Sequence, residues 1–250
     1  MSTILFIHVG DELLDGSINP YSSEMIKQIR QRGCSIACVM IIRDEICEIV
    51  SALQFALSLS PDIAVVTGGL GPTIDDVTRD AMAKFLGTEL EISDEATIWV
   101  NEALVRMHSR AKIDEVGLQM ARLPRGSKAL KNITGVACGI SARVEHTDFF
   151  LLPGFPNEFM PMFEQYVLPL VESDDIEELE IKVMKGEGTL EPIFQKIVAR
   201  FPVRIASIPA IDWRDRGNTI VIKGKSDEVR SAMTFFKGEL DKIGSDISCQ

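Results

Sequence analysis

Apolar residues come in short bursts along the first third of the chain, and two periods alternate between them. Residues 3–9 (Thr-Ile-Leu-Phe-Ile-His-Val) form a β-rich apolar run of the kind found in strands buried on both faces. Asn19 and Pro20 offer an N-cap with proline at the first helical position, and Met25, Ile26 and Ile29 share one helical face until Gly33 supplies a C-cap. Ser35 to Ile42 reads as a second strand. Asp44 is placed to cap a helix in which Ile46, Ile49, Val50, Leu53 and Leu57 repeat at helical spacing, and Asp62 to Thr67 is a third strand. Strand, helix, strand, helix, strand predicts a parallel sheet with right-handed crossovers.

Further along, Val77–Leu86 reads as a helix ended by Gly87, and Ser93–Arg110 as a longer one. Residues 111–138 show no deciding period. Two strands, 139–145 and 147–152, meet near Glu145-His146, and a closing helix over Pro156–Val171 carries Pro161 as the place for a kink. The acidic run from Glu172 to Glu178 is the linker candidate, with a solvated helix end as the alternative. Beyond it come strand Leu179–Met184, helix Thr189–Phe201, strands Val203–Ile208 and Asn218–Lys223, helix Asp227–Lys242, and a last strand of Asp246–Ser248 or none. The expected architecture is an α/β domain over residues 1–171 and a smaller ferredoxin-like α+β domain over 178–250.

Strands that run parallel end along one edge, where open α/β sheets bind ligands. Here each of the first three strands is followed by acid: Asp11-Glu12, Asp44-Glu45, and Asp75-Asp76 after a glycine-rich loop. The pattern predicts six carboxylates converging on one crevice. Composition narrows the ligand. Lys and Arg number 26 against 37 Asp and Glu, a net charge of −11. With no basic stripe, binding to nucleic acid or to an anionic membrane is not expected. Cysteines 34, 38, 47, 138 and 249 form no C-x-x-C pair, so the expectation is a cytoplasmic protein with buried, reduced thiols. No apolar run reaches membrane length.

The sharpest segment is Thr67-Gly68-Gly69-Leu70-Gly71-Pro72-Thr73-Ile74-Asp75-Asp76-Val77-Thr78. Three glycines after a buried strand permit positive φ and close backbone approach, exposing N–H groups to a phosphate, and the following helix N-terminus adds partial positive charge. Asp75 and Asp76 could cap that helix or hold a hard divalent cation sharing the phosphate oxygens. A plain loop with a capped helix accounts for the composition equally well. His8 in its apolar strand reads as a core group, His108 and His146 as surface, and Trp213 with Arg214 and Arg216 as a hairpin tip.

This run resembles the T-G-G-L-G-P-T-x-D-D-x-T signature of the CinA (competence/damage-inducible) family, a branch of the molybdopterin-binding superfamily. Gly10-Asp11-Glu12-Leu13-Leu14-x-Gly16 is similar to that family's G-D-E-L-L-x-G opening, and Asp44-Glu45-x-x-x-Ile49 to its D-D-x-x-x-I element. Leu123-Pro124-x-Gly126, Leu130-x-Asn132 and Pro153-Gly154-Phe155-Pro156-x-Glu158 resemble its L-P-x-G, L-x-N and P-G-V-P-x-E elements. The chain departs from the pattern at Pro20-Tyr21-Ser22, at Met120-Ala121 with Gln119 one place early, and at Gly135-Val136-Ala137-Cys138-Gly139. These positions would meet substrate rather than phosphate. A C-terminal amide-hydrolase domain of the CinA type has no room here, and residues 178–250 resemble the small α+β domain that follows the first in that family.

The resemblance implies a three-layer, mostly parallel first domain like other molybdopterin-binding domains, and hydrolysis of a nucleotide pyrophosphate such as ADP-ribose. Asp44, Asp76 and Glu12 would be catalytic and hold a divalent metal, Mg²⁺ first, with Mn²⁺ or Co²⁺ as alternatives. Thr67, Gly68, Gly69, Gly71, Thr73, Asp75, Gly10, Pro153 and Gly154 would contact phosphate or nucleotide. The alternatives are molybdopterin binding with adenylyl transfer, and a non-catalytic nucleotide-binding module. The adenylyl-transfer branch usually has Thr at the position of Leu70 and Arg at that of Asp75. Expected partners are a small nucleotide or pterin and further copies of the chain, as dimer or trimer.

Overall fold

Strand β1 (Thr3–Val9) is buried at every position after Thr3, and the first domain is assembled around it. The computed structural model describes residues 2–16, 26, 29, 35–108, 113–171, 175–209, 217–244 and 247–248. A short helix α1 (Asp11–Leu14) follows β1, then β2 (Ser35–Ile42), α2 (Ile46–Ser58), β3 (Ile63–Thr67) and α3 (Thr78–Leu86). After β4 (Leu90–Ile92) and α4 (Asp94–His108), the stretch without a deciding period forms α5 (Glu115–Gln119), β5 (Arg122–Pro124) and β6 (Lys128–Leu130). Strands β7 (Gly139–Val144) and β8 (Thr147–Leu152) then form a two-residue hairpin, with Glu145 at φ 54, as such tight turns require.

The main sheet has the order β2-β1-β3-β8-β7-β6. Its first four strands are parallel and the last two antiparallel. Alternation of side chains along each strand sorts the apolar residues onto two faces. Leu5, Ile7, Val9, Ala64 and Val66 pack with residues of α2, α3 and α4. Ile4, Phe6, Ile63 and Val65 pack with Phe159, Met162, Phe163 and Val167 from the chain after β8. The result is a three-layer α/β/α domain.

That closing segment is not one kinked helix. It runs as α6 (Pro156–Met162), a π-helical turn over Phe163–Val167 and a 3₁₀ turn over Leu168–Leu170. Pro161 has no N–H to donate and its ring presses on the preceding turn. The wider π turn that follows keeps Phe159, Phe163 and Val167, spaced by four, all on the sheet. Asp44 does not cap α2 either, since Glu45 is the N-cap residue and makes no side-chain cap bond. The proposed helix from Pro20 to Gly33 lies outside the described residues except for Ile26 and Ile29, as do Cys34, Cys249 and Trp213. Of the remaining thiols Cys138 is buried, Cys38 half-buried and Cys47 exposed, so the expectation of buried thiols fails at Cys47.

The chain divides into two compact units, Met1–Glu172 and Ser173–Gln250. The second contains β9 (Ile176–Val183), α7 (Glu187–Arg200), β10 (Arg204–Pro209), β11 (Asn218–Lys225), α8 (Ser226–Lys242) and a short β12 (Ile247–Ser248). Its sheet, β10-β11-β9-β12, is antiparallel throughout, the βαββαβ arrangement of ferredoxin-like domains. Among the described residues no helix is long and apolar enough to cross a membrane.

One titratable group is locked into the first core. His8 is 1% exposed, stacks on Phe6, and its Nδ1 lies 2.8 Å from the Thr67 hydroxyl. Burial pulls its pKa from 6.5 to about 4. The native state therefore keeps His8 neutral where the unfolded chain protonates it, so stability is full above pH 6.5 and falls as pH drops toward 4. A shift of that size corresponds to about 3 kcal/mol. Urea unfolding between pH 7.5 and 4 should show a steeper acid loss for the native sequence than for His8→Gln, by about one proton's worth of slope. Parallel curves would refute it.

Candidate functional site

The ends of β1, β2, β3 and β8 converge on a cavity of about 610 Å³. Glu12 and Asp44, Thr67–Thr73 with Asp75 and Asp76, and the Pro153–Pro156 turn line it. Every residue assigned to the site from sequence borders this cavity except Gly10. Gly10 lies beneath Glu12: a Cβ on it would meet the Glu12 carboxylate oxygen at 2.6 Å.

The loop after β3 has its shape imposed from several directions. Gly68 and Gly69 adopt φ of +95° and +64°. A Cβ on Gly68 would run into the Val9 carbonyl oxygen, and one on Gly69 into the Thr78 hydroxyl. Glycine is thus required twice, by conformation and by space. The first residues of α3 then hold the loop's carbonyls. Thr78 donates through Oγ1 to Gly68 O at 2.9 Å and through its amide to Gly69 O at 3.2 Å. The Arg79 guanidinium donates to Leu70 O and, at 3.1 Å, to Gly71 O. With four successive carbonyls tied to the helix, the amides are what the loop can offer.

Two of those amides are already in use. Gly68 N donates to Leu152 O at 3.1 Å, and Gly71 N to Asp76 Oδ1 at 2.7 Å. Among the described residues nothing accepts from the Gly69 and Leu70 amides. Asp76 therefore has a role the sequence did not suggest. Its Oδ2 also accepts from the Thr73 amide at 2.8 Å and the Thr73 hydroxyl at 2.6 Å, so its carboxylate cross-braces the loop. Neither Asp75 nor Asp76 caps α3, whose N-cap residue is Val77 with no side-chain cap bond.

Four of the six expected carboxylates, Glu12, Asp44, Asp75 and Asp76, border the cavity, while Asp11 and Glu45 do not. Asp44 Oδ2 accepts from the Asp11 amide at 3.1 Å. Burial raises the Asp44 pKa, that amide opposes the rise, and the like charges of Glu12, Asp11 and Asp75 add to it. Such a group is electrostatically loaded, and a cation would relieve it. Among the described residues no three His, Cys, Asp or Glu side chains converge as a metal-ligating group. The donor set instead fits the way Mg²⁺ is usually held, by one or two carboxylates with the remaining positions left to phosphate and water. Glu12 and Asp44, whose charges act on each other, would offer oxygens to the ion, with Asp75 and Glu158 also bordering the cavity.

Part of the cavity lining is apolar. Met107, Met120, Val136 and Ala137 contribute to it. Two of these four, Met120 and Val136, are positions where the chain departs from the CinA pattern. Asn132 shapes this wall from behind: its Oδ1 accepts from the amides of Thr134 and Gly135, at 3.1 and 2.8 Å, and its Nδ2 donates to Ala137 O at 3.0 Å. The same Nδ2 donates to Glu158 at 2.6 Å. That explains the L-x-N element as a loop organiser.

Arg79 escaped the sequence reading. It is 3% exposed, and burial lowers its pKa to about 10, so it remains a cation beneath the loop at neutral pH. The available signal was a basic residue in the first turn of a helix, where the macrodipole disfavours positive charge. Such a placement needs acceptors close by, and the loop carbonyls supply them.

Comparison with known proteins places these features in a lineage. The profile of the family described as probable molybdopterin binding domain matches residues 5–173. A protein of Pyrococcus furiosus is 33% identical over 240 residues, covering 93% of this chain and 95% of its own length. A CinA-like protein of Geotalea daltonii is 35% identical over 187 residues, which are 74% of this chain and 45% of that protein. The crystal structure of the CinA protein of unknown function from Thermoplasma acidophilum matches with a TM-score of 0.61 at 27% identity, over 68% of this chain and 99% of that one.

Replacing Arg79 by Met should test its structural share of the loop. Two buried carbonyls would lose their donor, at about 1–3 kcal/mol each. Denaturant unfolding should show that loss, and Arg79→Lys should recover only part of it because one ammonium cannot reproduce the fork. Unchanged stability in Arg79→Met would refute the assignment.

Proposed function

This chain belongs to the family of probable molybdopterin-binding domains and is CinA-like within it; from that membership we propose that its cavity binds a nucleotide pyrophosphate such as ADP-ribose and hydrolyses it with the help of a divalent cation. One observation carries this reading: Gly69 and Leu70, whose amides find no acceptor among the described residues, border the same cavity as the mutually repelling Glu12 and Asp44. An anion site and a cation site side by side suit a phosphoanhydride carrying its metal.

The residues divide the work. The two amides and the α3 N-terminus would take one phosphate, with the buried Arg79 adding positive charge behind them. Glu12 and Asp44 would hold the cation, which supplies Lewis acidity to the phosphoryl oxygens. Asp76, committed to Gly71 and Thr73, keeps the amides aimed. Water attacks one phosphorus in line; a P–O bond to water forms as the anhydride P–O bond breaks, giving AMP and ribose 5-phosphate. The proton from the attacking water leaves with the phosphate products or to solvent, since Glu12 and Asp44 would be engaged by the cation.

A second reading is supported by the family description itself: a flat pterin carrying a phosphate would use the same amides and the same apolar wall, without turnover of ADP-ribose. Hydrolysis of ADP-ribose should be measured with Mg²⁺, Mn²⁺ and Co²⁺ for the native sequence, Asp44→Asn and Glu12→Gln. Loss of a hard anionic donor should cost on the order of a hundredfold in rate with stability retained. No turnover with any of the metals, together with tight pterin binding, would establish the second reading instead.

Asp76→Asn separates bracing from metal binding. An amide in place of the carboxylate sets an NH₂ against one of the loop N–H groups, so the variant should lose phosphate affinity even without metal. Weakened pyrophosphate binding in the presence of chelator is the expected result; a defect seen only with metal present would make Asp76 a ligand.

A further inference from the structure

The turn after β8 brings an aromatic ring to the cavity. Gly154 packs so tightly on the glycine loop that a Cβ there would lie 3.3 Å from the Gly68 Cα. Its neighbour Phe155 lines the cavity and is 67% exposed. The Phe155 backbone is committed, its carbonyl accepting from the amides of Glu158 and Phe159 at 3.0 and 2.8 Å to start α6. The side chain belongs to neither apolar core of the first domain. Met107, 49% exposed, and Val136 border the same space. A large apolar ring held at a cavity mouth by a rigid backbone, with no packing role, marks a surface awaiting a partner.

The charge layout says which part of a ligand belongs there. The open amides and the carboxylates occupy the strand ends, so phosphate and cation are drawn to them. What remains is the apolar side, and Phe155 stands one residue beyond the glycine that touches Gly68. Resting on the reading of this cavity as a phosphate site, we propose that Phe155 is the stacking platform for the flat heteroaromatic end of the ligand, and so a specificity-determining residue that favours base-bearing phosphates over base-free ones. Any π-face serves, so a purine and a pterin share the chemistry, and both must be tested.

Phe155→Leu removes the ring while keeping an apolar side chain at an exposed position whose backbone bonds are untouched. Calorimetric titration of the full chain with ADP, a phosphorylated pterin and inorganic pyrophosphate, with Mg²⁺ present, reads the effect. The expected result is roughly tenfold to a hundredfold weaker binding of at least one heteroaromatic ligand, with pyrophosphate binding unchanged. Phe155→Trp should bind that ligand at least as tightly as the native sequence, with indole emission quenched by it and not by pyrophosphate. Equal losses for all three ligands, or none, would overturn the inference. So would native protein that binds pyrophosphate as tightly as ADP and the pterin, a result that leaves the glycine-loop site standing. Binding that depends on Phe155 without turnover of ADP-ribose supports the inference and overturns only the hydrolytic reading.

Discussion

A side chain at residue 68 has nowhere to go. The end of β1 closes one side of Gly68 through the Val9 carbonyl, and the turn after β8 closes another through Gly154. Three parallel strands therefore come together with only backbone between them, which a sheet edge normally avoids. That contact forces the positive φ of the loop and turns the chain sharply enough for α3 to begin beneath it. The helix returns the favour by holding four carbonyls, from Gly68 to Gly71. The open amides are the residue of this arrangement: what is left once those four carbonyls and the Gly68 and Gly71 amides have partners.

The same economy governs the charges. Asp76 and Arg79 sit near one another at the loop, yet neither is spent on the other as a simple ion pair. Each binds the loop instead, the carboxylate accepting from two amides and the Thr73 hydroxyl and the guanidinium donating to two carbonyls. Opposite charges thereby grip the two ends of one peptide unit, that between Leu70 and Gly71. Across the cavity, Asp44 faces acids without a counter-charge among the causes acting on it. The site is thus finished on one side and electrostatically unfinished on the other.

Strands β1 and β3 were legible because burial on both faces writes itself as uninterrupted apolar runs. The edge strand β2, none of whose residues is fully buried, was legible from its own apolar run; all three were read to within a residue. The small domain was legible for the opposite reason, since its half-exposed strands and helices alternate cleanly. The Glu115–Leu130 region was opaque because α5, β5 and β6 are only three to five residues long, shorter than one period of evidence. Asp76 was recognised as a site residue but not as a brace, because a carboxylate two residues before a helix signals a cap, a metal or a loop bond in identical letters. Arg79 and the π turn depend on where partners lie in space, and spacing along the chain carries no record of that.

Asn132 fixes the course of residues 132–137 through main-chain groups and through Glu158. The side chains that this segment shows to the cavity are therefore not the ones that hold it in place. Val136 can change identity without the wall losing its path, whereas Gly68 and Gly69 have no such freedom. One half of the binding space is thus under steric veto and the other is open to drift. On the proposed reading of the cavity, a lineage built on this plan would exchange one small molecule for another by altering a few residues of a single wall, with the glycine loop left unchanged.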